Sequence, residues 1–265
     1  MQVNNKVRDN HLIFKKIPDG LTYLILFVSS IVFTELFILL YVVQLRKSIS
    51  TIRSDIIKDG LKAGEYVYKH ILSLSSVVAQ VVAYTLFICV IFAICFKVFK
   101  VEFQEFKLHL SKKIGMIILF SIGIYIVDVI ISRFYSIIGV DGTSMNQLMI
   151  YGALASPVKV PTILLTIVFA PIVEEIIYRK FMFGALHQQF KLPIWVAGLL
   201  SAIIFSLLHV SSSLDQLIYF PQYFALALVL VGAYIYSGQN IYFSISVHVI
   251  NNAISILLWA ITTWI

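Results

Sequence analysis

Charge is what this sequence has least of. Of 265 residues only 12% are Asp, Glu, Lys or Arg, while 60% are hydrophobic, against the roughly 25% charge of an average soluble domain. Too few polar side chains are present to cover a surface in water, which excludes an ordinary soluble fold. Cysteine is nearly missing: Cys89 and Cys95 fall in one apolar run, where neither a disulfide framework nor a zinc-ligand spacing can be read. No HExxH pair, no GxSG turn and no GxGD setting occurs. Paired-histidine metal sites, serine nucleophiles and aspartyl dyads therefore have no foothold, and the two thiols have no base nearby in sequence. No repeat, low-complexity tract or flexible linker divides the chain.

What the sequence does contain is long apolar runs. A mean hydropathy of +0.95 over 265 residues accommodates about seven bilayer crossings at ~20 apolar residues each. Runs from Leu21 to Val43 and at about 71–96, 114–132, 161–186, 194–210, 217–236 and 241–264 are each long enough. They should be helices, because an open sheet edge cannot satisfy its backbone polar groups against lipid. The expected fold class is all-α, a polytopic transmembrane bundle of about seven to eight helices forming one integral membrane domain. Within residues 1–265, the stretch 1–132 supplies N-terminal spans and 157–265 the motif-bearing core.

The first run is too long for the apolar region of a cleaved signal peptide. Residues 44–70 mix Arg46, Lys47, Arg53, Lys58, Lys62 and Lys69 with Ile, Leu and Tyr, a pattern suited to an amphipathic connector along the headgroups. Residues 133–160, with Asp141-Gly142, Pro157 and Pro161, read as a loop or re-entrant segment rather than a span.

The net charge of +7 does not point to nucleic acid, since all 20 Lys and Arg lie in residues 1–191, mostly beside the apolar runs. They read as flanks of membrane spans. Seven alternating spans divide them 12 to 8 between the two sides, a margin too small to set orientation.

An ionisable side chain at the bilayer centre costs ~2.5–3.5 kcal/mol on insertion scales. Glu35 and Asp128 each stand in an apolar span and read as snorkelling or bundle-facing structural residues. Glu174, Glu175 and Arg179 are different, because three charges share barely more than one turn directly behind Pro171. Glu175 and Arg179 are four apart in the favourable acid-first order, so they can pair. Glu174 is rotated ~100° away and lacks this partner, which leaves it suited to exchange a proton as a general base. His209 ends the next run one turn after Phe205, and His248 stands four residues before Asn252, beside Asn251. Donors stacked on one helix face could hold an oxyanion that hydrocarbon cannot solvate; equally, they could bond neighbouring helices together.

Taken in order, Glu174-Glu175-x-x-x-Arg179, Phe205-x-x-x-His209 and His248-x-x-x-Asn252 resemble the CPBP family, the CAAX proteases and bacteriocin-processing enzymes also called Abi. Its three motifs are EExxxR, FxxxH and HxxxN/D. The resemblance covers about residues 157–265. It implies a multi-pass protease of the bacterial cell membrane that needs no cofactor. Glu174 and His209 would activate a water, and His248 and Asn252 would stabilise the oxyanion. Glu175, Arg179 and Phe205 would hold the architecture. The implied partners are the lipid bilayer and a peptide or membrane-protein substrate, such as a lipidated or leader peptide, with a link to bacteriocin self-immunity and none to nucleic acid. Lys180 departs from the pattern, since a small residue commonly follows the motif arginine; a bulky cation there is expected to narrow access or alter packing.

Two other readings remain open at this level. Zn²⁺ on Glu174, His209 and His248 would make a three-ligand site with water in the fourth position. A non-enzymatic membrane binder, such as an immunity protein, or a small transporter would use the same polar residues as a binding site; the symmetric pair of broken helices expected of a transporter is not found.

Overall fold

A computed structural model describes residues 21–33, 36, 39, 61–140, 143–156, 158–210 and 213–264. Among them are eight helices and no strand. In chain order these are α1 (Leu21–Phe33), α2 (Leu61–Lys107), α3 (Leu110–Ile137), α4 (Met145–Leu154), α5 (Lys159–Gln189), α6 (Ile194–His209), α7 (Leu214–Tyr236) and α8 (Ile241–Trp264). Five are long and apolar enough to cross a membrane: α3, α5, α7, α8 and, from Val77, α2. The protein is an integral multi-pass helical bundle.

A helix in lipid needs no polar stripe, and α3 illustrates why. It buries Ile117, Ser121, Ile124 and Tyr135 along one narrow face, while Ile114, Ile118, Ile122, Ile126 and Ile130 point outward. Both faces are apolar because hydrocarbon, not water, covers the outer one. α5 is the centre of the bundle. Its Val173, Ile176, Phe181, Met182 and Phe183 share one core with Tyr23 of α1, Phe87 and Phe99 of α2, Phe205 of α6 and Tyr234 of α7. α6 lies close against α7 because its buried face carries Ala197, Gly198, Ser201 and Ala202, and small residues let helix backbones approach in membranes. A Cβ at Gly198 would come within 2.7 Å of Val231 Cγ1.

One end of the bundle is tied by charge. Glu102 of α2 pairs with Lys180 of α5 and accepts the Ile241 backbone N–H at 3.1 Å, and its carbonyl accepts from Asn240 Nδ2 at 2.8 Å. These bonds fasten α2 and α5 to the start of α8.

The observed helices overrun the apolar runs: the second continues to Lys107, the third spans 110–137 and the fourth 159–189. Hydropathy falls where Lys97, Lys100, Glu102 and Glu105 begin, but a helix carries its backbone bonds with it and continues past the hydrocarbon. Residues 133–160 are not simply loop. α3 extends to Ile137, and Met145–Leu154 forms a helix too short to cross, with Ser144 as its N-cap accepting from the Gln147 N–H at 3.3 Å. Residues 44–60 of the expected amphipathic connector, Glu35 and residues 40–43 of the first run lie outside the described residues; from Leu61 the backbone is already α2.

Candidate functional site

α5 is locally unusual, with π-helical turns at Leu165–Phe169, Glu175–Met182 and Ala185–Gln189. Such wider turns are common at functional sites. The first has a cause in Pro171. The Ala170 N–H bonds Leu165 O, and Pro171 has no N–H to offer, so the Thr166 carbonyl is left without a helical donor. Asn252 of α8 supplies one, its Nδ2 donating to Thr166 O at 2.8 Å. Asn251 Nδ2 in turn donates to Asn252 Oδ1 at 3.2 Å.

The second wide turn holds the motif charges. Glu175 and Arg179 are fully buried and paired at 3.3 Å. His248 Nδ1 stands 3.0 Å from Glu175 Oε1, and its Nε2 is 3.8 Å from Glu174 Oε2. A carboxylate accepts, so Nδ1 carries the hydrogen. His248 thus sits between the two glutamates. Their environments differ: the Glu175 side chain is completely enclosed, whereas that of Glu174 keeps 19% of its surface open.

Phe205 joins the three motifs. The Arg179 guanidinium lies 4.6 Å over its ring, a cation–π arrangement; the His209 ring is 4.2 Å away, His248 6.3 Å edge-on and Tyr178 5.2 Å edge-on. His209 is further flanked by Tyr223 at 5.1 Å. Its Nδ1 bonds the Phe205 carbonyl at 2.8 Å. A carbonyl can only accept, so the neutral ring carries its hydrogen on Nδ1 and leaves Nε2 as the basic nitrogen.

Glu174, His209, His248 and Asn252 all line one cavity of about 970 Å³, together with Phe205, at the upper end of the size range of small-molecule sites. Glu175 and Arg179 lie behind its wall. Among the described residues, no three His, Cys, Asp or Glu side chains form a group that could hold a metal ion. His248 and His209 each bond through Nδ1, to Glu175 and to the Phe205 carbonyl, which leaves Nε2 of each ring as the available nitrogen.

Lys180 does not narrow the site. It is absent from the cavity wall, and its ammonium is buried against Glu102; the expectation of narrowed access is corrected, and what the cation does is tie helices together. Sequence reasoning missed much of the cavity's other polar lining. Asp128 of α3 accepts from Gln222 Nε2 of α7 at 2.6 Å. Tyr223 OH bonds Ser144 Oγ at 2.6 Å and accepts from Asn146 Nδ2 at 3.3 Å, and Met145 N–H donates to Gln216 Oε1 at 2.7 Å, closing α4 onto α7. The signal was available on α3, where Asp128, Ser132, Tyr135 and Ser136 repeat at helical spacing and all reach the cavity.

The fold and site together define a membrane-embedded helical bundle with a polar chamber built from three motifs. Residues 156–254 match the family described as Type II CAAX prenyl endopeptidase Rce1-like. The three motifs, from Glu174 to Asn252, all lie within that segment. It is also similar to "Putative membrane peptidase YdiL" of Bacillus subtilis (strain 168), with 37% identity over 76 residues, covering 28% of this chain and 29% of that protein. The matched stretch is therefore under a third of that relative's length. No solved structure matches the chain.

Proposed function

We propose that the protein is an intramembrane endopeptidase of the CAAX-protease type, hydrolysing a peptide bond with water activated by Glu174 and His209. The observation that carries this reading is the shared chamber: a carboxylate, two imidazoles and an amide from α5, α6 and α8 open into one polar cavity inside an apolar bundle. Glu174 takes a proton from the water as its oxygen attacks the carbonyl carbon, while His209 Nε2 accepts the water's other hydrogen and aims it. The oxyanion is held by the His248 ring and by the second amide hydrogen of Asn252. When the tetrahedral carbon collapses, the C–N bond breaks and Glu174 returns its proton to the departing amine. Glu175 and Arg179 position His248 from behind the wall. The substrate is a peptide or membrane-protein segment, with lipidated or leader peptides and bacteriocin self-immunity as the settings the family resemblance suggests.

The test is purified protein in lipid nanodiscs with an apolar peptide substrate. Glu174→Gln and His209→Ala should each lower turnover by about 10²–10⁴-fold with melting temperature unchanged, and strong chelators should leave the wild-type rate intact. A rate abolished by chelators would establish a metal mechanism, and a cellular immunity activity that survives both substitutions would establish a non-enzymatic binder.

A further inference from the structure

The two histidines of the chamber are held in different ways. His248 is fixed by a buried carboxylate, with its Nδ1 3.0 Å from Glu175 Oε1, whereas the 2.8 Å bond of His209 Nδ1 goes to the Phe205 carbonyl of its own helix. A single bond to a carbonyl leaves a ring room to turn about it. α6 ends at His209, and a helical side chain leans back over the preceding turn, which lays the imidazole against Phe205 with ring centres 4.2 Å apart and planes 32° apart. A second ring comes from α7: Tyr223 stands 5.1 Å from the imidazole with its plane tilted 31°. Aromatic rings from two helices therefore bound the imidazole and leave its Nε2 edge for the chamber.

The two rings are anchored differently. Phe205 is packed in the core under the Arg179 guanidinium. Tyr223 is only partly buried and lines the chamber, and its hydroxyl is gripped at the start of α4, 2.6 Å from Ser144 Oγ and 3.3 Å from Asn146 Nδ2. α4 is itself tied to α7 by the bond from Met145 N–H to Gln216 Oε1. The Tyr223 ring thus bears on His209 while its tip is held by a separate helix.

We infer that Tyr223 is a positioning residue for His209: its ring stops the imidazole from turning about the Nδ1–H···O bond, so that Nε2 stays aimed at the water, and Ser144 and Asn146 keep the ring in place. Its hydroxyl is already committed to α4, so Tyr223 acts through His209 and exchanges no proton in the reaction. Orientation of this kind has a large effect on rate, since a misplacement of about 1 Å costs on the order of 10²-fold. The inference rests on the peptidase reading for what His209 does to water; the constraint on the ring is measured without turnover.

The experiment uses full-length protein in lipid nanodiscs, labelled with ¹⁵N-histidine, with the His209 signals identified by their loss in His209→Ala. Tyr223→Leu and Tyr223→Met remove the ring, and Tyr223→Phe keeps it. Wild-type His209 should show a single neutral tautomer with the hydrogen on Nδ1. The variants without the ring should show both tautomers, and Tyr223→Phe should return the single one. With an apolar peptide substrate, loss of the ring should lower kcat by about 10²-fold at unchanged KM, and Tyr223→Phe should recover most of that rate. Two tautomers in the wild-type protein, or one unchanged tautomer in a folded variant without the ring, would overturn the inference. So would a loss of rate confined to KM, or a Tyr223→Phe protein as impaired as Tyr223→Leu. If neither variant without the ring folds, the ring holds the bundle rather than His209, and the inference is overturned as well. A tautomer that follows the ring in a protein that cleaves nothing would leave the positioning role standing and remove only the peptidase reading.

Discussion

Replacing Arg179 by Ala separates the architecture of the site from its chemistry. Glu175 is fully buried, and Arg179 is paired with it at 3.3 Å. Removing one partner of a buried pair strands the other charge, typically costing about 3–5 kcal/mol. The stack on Phe205 at 4.6 Å is lost as well, and a desolvated cation–π contact contributes up to about 2 kcal/mol. His248, bonded to Glu175 at 3.0 Å, offers only partial compensation. At roughly 2–4 °C per kcal/mol for a chain of 150–250 residues, the melting temperature in detergent should fall by on the order of 10 °C, with lower accumulation in the membrane. Glu174→Gln is the contrasting variant. Its side chain is isosteric and 19% open to the cavity, so stability should stay within about 1 kcal/mol while turnover is lost. Fluorescence-detected size-exclusion thermostability on both variants is the assay. Equal melting temperatures and equal expression would refute the division of labour between the neighbouring glutamates.

The pair formed by Glu102 and Lys180 gives a double-mutant cycle. Lys180→Met should destabilise by about 3–5 kcal/mol, and adding Glu102→Gln, which can still accept from the Ile241 N–H, should recover most of it when thermal stabilities are compared. Gly198→Leu should cost about 1–3 kcal/mol through overpacking, since even a Cβ would lie 2.7 Å from Val231. Gly152→Ala, whose Cβ meets nothing within 4 Å, should be neutral or slightly stabilising in the same melt. Asn252→Leu strands the Thr166 carbonyl that Pro171 cannot serve and should cost about 1 kcal/mol; if its melt matches wild type, the carbonyl has found another donor.

Membrane helices and the three motifs were legible because lipid imposes a strong rule: long apolar segments must be helical, and charges within them stand out. Helix ends were not legible. α2 continues through Lys97, Lys100 and Glu102 because a helix carries its backbone bonds past the hydrocarbon, and the role of Lys180 depends on Glu102, a partner 78 residues away in sequence. The pairing of Glu175 with Arg179 follows from a spacing of four, whereas the bridging position of His248 depends on how α8 crosses α5, which no local spacing encodes. The role of Pro171 was equally hidden, since the carbonyl it frees matters only once Asn252 arrives from another helix. Asp128 was visible as a charge in a span, but its direction depended on α7 placing Gln222 opposite.

Cleavage chemistry is tested most directly by isotope. Purified protein in nanodiscs is incubated with a library of apolar transmembrane peptides in H₂¹⁸O, and new termini are read by mass spectrometry. Wild-type protein should produce new C-terminal carboxyl groups carrying one ¹⁸O, and Glu174→Gln protein, equally folded, should produce none above background. Label-bearing products from the Glu174→Gln protein at the wild-type rate would contradict water activation by Glu174.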